Sequence, residues 1–120
     1  MFQFSISLDL DLSNLDTSNV RSMEGMFLDA KLSNVNLENF NTKMVKTMKS
    51  IFNGTKIKDL DISNFDFRNV ESMELSFANL KVDFLDLSNP FHKVKNLTSV
   101  FLHSTFNQLN IEGLSLQTVS

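Results

Sequence analysis

The pentapeptide Leu10-Asp11-Leu12-Ser13-Asn14 returns as Val35-Asn36-Leu37-Glu38-Asn39, Leu60-Asp61-Ile62-Ser63-Asn64, Leu85-Asp86-Leu87-Ser88-Asn89 and Leu109-Asn110-Ile111-Glu112-Gly113. The spacings are 25, 25, 25 and 24 residues. A fixed period of this size marks a stacked repeat, in which each unit buries its apolar side only against its neighbours. Repeated positions build columns and surfaces, whereas catalysis needs a few unlike residues converging in one pocket. The chain is therefore read as a non-enzyme that offers a surface.

Each unit divides into two halves of different period. In the first, Leu32, Val35 and Leu37 share an L-x-x-L-x-L spacing with Ile57, Leu60 and Ile62, with Val82, Leu85 and Leu87, and with Phe106, Leu109 and Ile111. The alternation of the last two apolar residues predicts a strand with those side chains inward. The same parity predicts that Asn14, Asn39, Asn64 and Asn89 turn their amides toward the interior, where a column of them bonds the turn backbone.

In the second half, Val20, Met23 and Phe27, then Val45, Met48 and Phe52, then Val70, Met73 and Phe77 stand at i, i+3 and i+7. Val94, Leu97 and Phe101 continue the series. This spacing predicts a helix of about two turns with one apolar face, and Asn19 and Asn69 stand where N-caps would. A Met and Phe stripe whose spacing is repeated four times, with Leu97 in the last Met place, reads as core rather than as a cofactor box. Strand and helix together predict an α/β repeat solenoid over residues 1–120. It is a single array of four to five units starting near 10, 35, 60, 85 and 109. The two ends look uncapped, so the chain is expected to be a piece of a longer array or to associate end to end.

Composition narrows the function classes. With 42% hydrophobic residues the chain is too apolar for disorder, and a net charge of −3 implies no bulk attraction to nucleic acid. No apolar run is long enough to span a bilayer. Zero Cys excludes disulfides and thiolate metal sites. His92 and His103 lack the spacing of a metal pair and read as solvated or core histidines. No phosphate loop, G-x-S-x-G elbow or G-x-G-x-x-G turn is present, so no catalytic, cofactor or metal residues are assigned. Asn53-Gly54-Thr55 and Asn96-Leu97-Thr98 match the glycosylation sequon but read as turns or helix starts.

The charges are arranged in columns. The predicted outward places of the strands carry Asp9, Asp11, Ser13, Asn34, Asn36, Glu38, Asp59, Asp61, Ser63, Phe84, Asp86, Ser88, Gln108, Asn110 and Glu112, a set with seven acids and no Lys or Arg. Lys43, Arg68 and Lys93 form one basic column and Lys31, Lys56 and Lys81 another, which predicts an array with two electrically opposite faces. An acidic strand face could steer a basic protein partner or collect divalent cations. The plainer reading, which carries more weight, is that these residues keep a solvent-facing sheet soluble and unsuited to edge pairing. The candidate partner-binding face is Asp11, Asn36, Glu38, Asp59, Asp61, Phe84, Asp86 and Asn110, with Phe84 as the natural aromatic anchor.

The recurring L-D-L-S-N-F-D, N-V-x-S-M and M-F motifs, ending in Ser104-Thr105-Phe106-Asn107-Gln108, resemble the BspA-like leucine-rich repeats, also known as mycoplasma-type lipoprotein repeats of unknown function. The resemblance covers essentially the whole chain. It implies a leucine-rich-repeat-like right-handed coil with a short parallel sheet on one face and short helices on the other. It also implies a cell-surface or secreted protein that binds host or neighbouring-cell proteins, and it brings no catalytic residues. The leading expectation is thus a non-enzymatic protein-interaction or adhesion module. The alternative is a structural spacer or self-assembling segment that acts through its ends.

Overall fold

In the computed structural model, residues 8–12, 14–86 and 94–110 are described. The 25-residue period becomes a parallel ladder. Its strands are β1 (Leu8–Asp11), β2 (Leu32–Asn36), β3 (Asp59–Leu60), β4 (Lys81–Asp86) and β5 (Thr105–Asn110). All pairings are parallel, in a two-stranded sheet β1-β2 and a three-stranded sheet β3-β4-β5. The two sheets are joined at the strand starts, where Lys31 bridges Lys56 and Lys56 bridges Lys81. There the Leu32 N–H donates to the Lys56 carbonyl at 2.9 Å and the Ile57 N–H to the Lys81 carbonyl at 3.0 Å.

The second half of each unit does not form the expected helices: among the described residues there is no helix at all. The α/β solenoid with a helical second face is thereby corrected to strands and turns stacked in register. The reason lies in where the backbone N–H groups go. In the first unit those of Gly25, Phe27 and Asp29 donate to the carbonyls of Lys49, Ile51 and Asn53 in the next unit, at 3.0, 2.9 and 2.8 Å. Those of Met26, Leu28 and Ala30 reach back only three residues, to Met23, Gly25 and Phe27. Alternate amides thus bind the neighbouring unit, and the remainder close tight turns. The same scheme recurs one unit later, where Ser50, Phe52 and Gly54 donate to Glu74, Ser76 and Ala78.

Two columns of left-handed residues enforce this path. Gly25, Ser50, Leu75 and Ser99 have φ of 63°, 57°, 57° and 52°, and Asp29, Gly54, Asn79 and His103 have φ of 58°, 78°, 53° and 57°. A right-handed helix cannot pass through either column. A helix of two turns is marginal by itself, so bonds to a neighbouring unit displace it.

The apolar stripe is nonetheless core. Phe27, Phe52 and Phe77 are fully buried and stack face to face, with centroids 5.4 and 5.9 Å apart and planes within 4° and 12°. Phe101 extends the stack at 5.8 Å. Met23, Met48, Met73 and Leu97 bury beside them. Among the described residues no helix is long and apolar enough to cross a membrane.

The expected inward Asn column is also corrected. Asn14, Asn39 and Asn64 are exposed, because the chain turns immediately after the strand and the next buried ring is Phe40 or Phe65. The Phe40 and Phe65 N–H groups close those turns onto the Leu37 and Ile62 carbonyls at 3.0 Å. Asn64 still serves the backbone of its neighbour, its amide donating to the carbonyls of Leu37, Glu38 and Phe40 at 3.0 Å each. Asn19 and Asn69 have no helix to cap. Asn69 instead donates to the Lys43 carbonyl of the preceding unit at 2.6 Å. Asn89 and His92 lie outside the described residues.

Candidate functional site

The strands place their polar residues outward in an uneven rhythm. Along β4, Val82 and Leu85 are buried, Lys81, Asp83 and Phe84 are exposed and Asp86 is half-buried. Two adjacent exposed residues arise because the Lys58 carbonyl accepts both the Asp83 N–H at 2.8 Å and the Phe84 N–H at 3.4 Å, which bends the ladder at that level. Each strand therefore presents a starting segment and an ending segment on its outer side.

The ending segments carry the candidate face. Asn36, Glu38, Asp59 and Asp61 come together around a shallow recess of about 390 Å³, which Asn34, Ser63 and Asn64 complete. Phe84 lies opposite Asp59 in the β3-β4 register and is 41% exposed, a large ring left in water beside the recess. Asp86 is the register partner of Asn110, and Asp11 of Asn36, so those candidates extend the same rows to β5 and β1. The face is contiguous from β2 to β4. Ser13, Ser88 and Glu112 fall outside the described residues.

Part of this polar character has a local structural cause. The Asp61 carboxylate accepts the Ser63 N–H at 3.0 Å, and Asn36 accepts the Glu38 N–H at 3.1 Å, closing the same turn in consecutive units. Hydrogen bonds from the Ser63 hydroxyl and N–H hold the Asp61 carboxyl below the usual carboxylate value. Asp16 is lowered in the same manner by the Ser18 hydroxyl and N–H. At Asp66 burial pushes the carboxyl up, but hydrogen bonds from Arg68 and the charges of Arg68 and Lys43 outweigh it, so the net shift is downward. These acids are held ionised, as ion-pairing or turn-closing groups are, rather than poised near neutrality for proton transfer. Among the described residues no three His, Asp or Glu side chains converge as a metal centre would. His103 is an exposed turn residue.

One basic column is not where two opposed faces would put it, and Lys93 of the other lies outside the described residues. Lys81 is the first residue of β4, and Lys31 and Lys56 bridge to it in register. The lysines thus open the same strands whose other ends carry the acids, and charge changes sign along each strand. Lys58 joins them, a residue that the column pattern does not reveal because its counterparts are Ser33 and Asp83. With the apolar walls of Leu32, Ile57 and Val82, these lysines line a second, larger cleft of about 660 Å³.

A family model described as a Mycoplasma protein of unknown function, DUF285, matches residues 1–89. No curated protein and no solved structure matches the chain.

Proposed function

Because the chain belongs to the DUF285 family of Mycoplasma proteins, whose function is unknown, we propose its role from geometry: a non-enzymatic module that binds a protein partner through the ending segments of its strands. The observation that carries this reading is the recess formed by Asn36, Glu38, Asp59 and Asp61 beside the exposed Phe84 ring. Such a surface suits a partner that offers Lys or Arg to the carboxylates and an apolar side chain to the ring. An exposed aromatic anchor next to polar groups is a common feature of a protein interface. The finer kinship with BspA-like surface proteins, and the adhesive role it implies, belongs to the same proposal and rests on the repeated L-D-L-S-N and N-V-x-S-M motifs.

The test is selection of peptides from a displayed library against the intact chain, followed by surface plasmon resonance with variants. Selected peptides should combine basic and apolar residues. Phe84→Ala should weaken them about 30-fold, the loss of a 2 kcal/mol anchor, and Asp59→Lys should abolish electrostatic steering. Asp61→Asn keeps an oxygen for the Ser63 N–H, so it separates charge from turn closure. Equal binding by all three variants and the wild type would refute the proposal.

A further inference from the structure

The larger cleft has a composition that the protein-binding face does not explain. Lys31, Lys56 and Lys81 stand in consecutive rungs of a parallel ladder, about 4.8 Å apart by strand spacing. Lys58 adds a fourth ammonium group to the same cleft. Among the described residues none of the four has an ion-pair partner: the ion pairs there are Lys49–Glu74 and Arg68–Asp66. Like charges stacked in adjacent strands repel, and among the described residues the cleft sets one acid, Asp83, against the four lysines. Asp83 stands beside Lys58 in the next rung, its N–H bound to the Lys58 carbonyl at 2.8 Å. Its carboxylate accepts a hydrogen bond from the Asn107 amide at 3.1 Å, and Thr105 takes the place of a fourth lysine in the column.

We propose that this cleft binds an acidic polysaccharide, with its anionic groups on Lys31, Lys56, Lys58 and Lys81 and its hydroxyl groups on Asp83, Asn107 and Thr105. The carboxylate is the discriminating feature. Asp83 repels a ligand that is only anionic, whereas a sugar hydroxyl donates to it. A chain that carries anions and hydroxyls together satisfies the lysines and Asp83 alike. Nucleic acid fits less well, because among the described residues no aromatic side chain lines the cleft to stack a base. A polyglutamate chain supplies the anions without any hydroxyl group for Asp83, which makes it the peptide control.

The experiment titrates the intact chain with heparin fragments and with polygalacturonate at about 50 mM and about 200 mM salt, where counterion release is readable. Dextran serves as the uncharged control, and polyglutamate and single-stranded DNA as competitors of matched charge. The expected result is binding to at least one acidic glycan, with none to dextran. Lys56→Ala/Lys81→Ala should lose at least about tenfold in affinity. The slope of log affinity against log salt should fall by up to about 1 for each lysine removed. Asp83→Ala should weaken glycan binding, although it removes a repelling charge. Thermal melting of each variant checks that it is folded, and Lys56→Gln and Lys81→Gln singly replace the double variant if it does not melt cooperatively. Absence of glycan binding at low salt would overturn the proposal, as would lysine variants that bind like wild type. Tighter binding by Asp83→Ala, or polyglutamate or DNA binding as tightly as the glycans, would overturn it by showing charge attraction alone.

Discussion

Ser50→Gly is expected to stabilise this protein, and the sign of the effect separates the turn ladder from a helix. Ser50 sits at φ 57°, in the column where the first unit has Gly25 at φ 63°. An L-residue held in the left-handed region pays roughly 1–2 kcal/mol, which glycine escapes. Glycine in turn loses about 0.5–1 kcal/mol through its freer unfolded chain. The hydroxyl gives up little, because its contact with the Asn53 amide is long at 3.4 Å. The Ser50 N–H keeps its bond to the Glu74 carbonyl. The net gain is about 0.5–1 kcal/mol, a rise in Tm of about 2–5 °C for a chain of this size. If residues 48–54 were helical, glycine would instead be worse than serine by about 0.5 kcal/mol. Urea unfolding of Ser50→Gly reads the difference, and Lys49→Gly, at an exposed neighbour outside the left-handed column, should be destabilised in both cases. A Ser50→Gly variant less stable than wild type would refute the reasoning.

Phe52→Ala should be destabilised by about 3–5 kcal/mol, because the ring is buried between Phe27 and Phe77; the half-buried Phe101 should lose less, and equal losses by chemical unfolding would contradict a stack centred on Phe52. Thr42→Val keeps the shape of a buried residue but strands the Asp66 N–H and carbonyl, which the Thr42 hydroxyl now serves at 2.7 and 2.9 Å; about 2–3 kcal/mol should be lost in the same assay. Asp16, Asp61 and Asp66 all have folded-state carboxyls lowered from the ordinary 3.8. Their contribution is therefore present above that value and disappears as pH falls through the lower folded values. Melting temperature should stay flat from neutral pH to about 5 and drop below about 4, with a smaller drop for Asp61→Asn.

Much of the strand half was readable in the residues, since a parallel ladder stacks like on like and Leu60 or Leu85 must recur wherever an inward place recurs. The outward columns were readable for the same reason, which is why Asn36, Glu38, Asp59, Asp61 and Phe84 meet on one surface. The helix expectation failed because an i, i+3, i+7 stripe is also produced by successive three-residue turns that bury one side against a neighbour. The signal that distinguishes them was present but faint. Gly25 and Gly54 fall in the two left-handed columns together with Asp29 and Asn79, residue types that tolerate positive φ, yet Leu75 and Ser50 disguise the pattern. Lys58 was missed because it recurs in no other unit, its counterparts being Ser33 and Asp83, so no column marks it as a residue of the cleft.

The central claim is that alternate amides of residues 23–30 bind the neighbouring unit instead of their own turn. NMR of the isotopically labelled chain tests it directly, through backbone chemical shifts and through-space contacts. The ladder requires positive-φ shifts at Gly25 and Asp29, with contacts between Phe27 and residues 51–52. Consecutive helical shifts across 23–30, with amide contacts spaced three and four residues apart and none to residues 51–52, would contradict it.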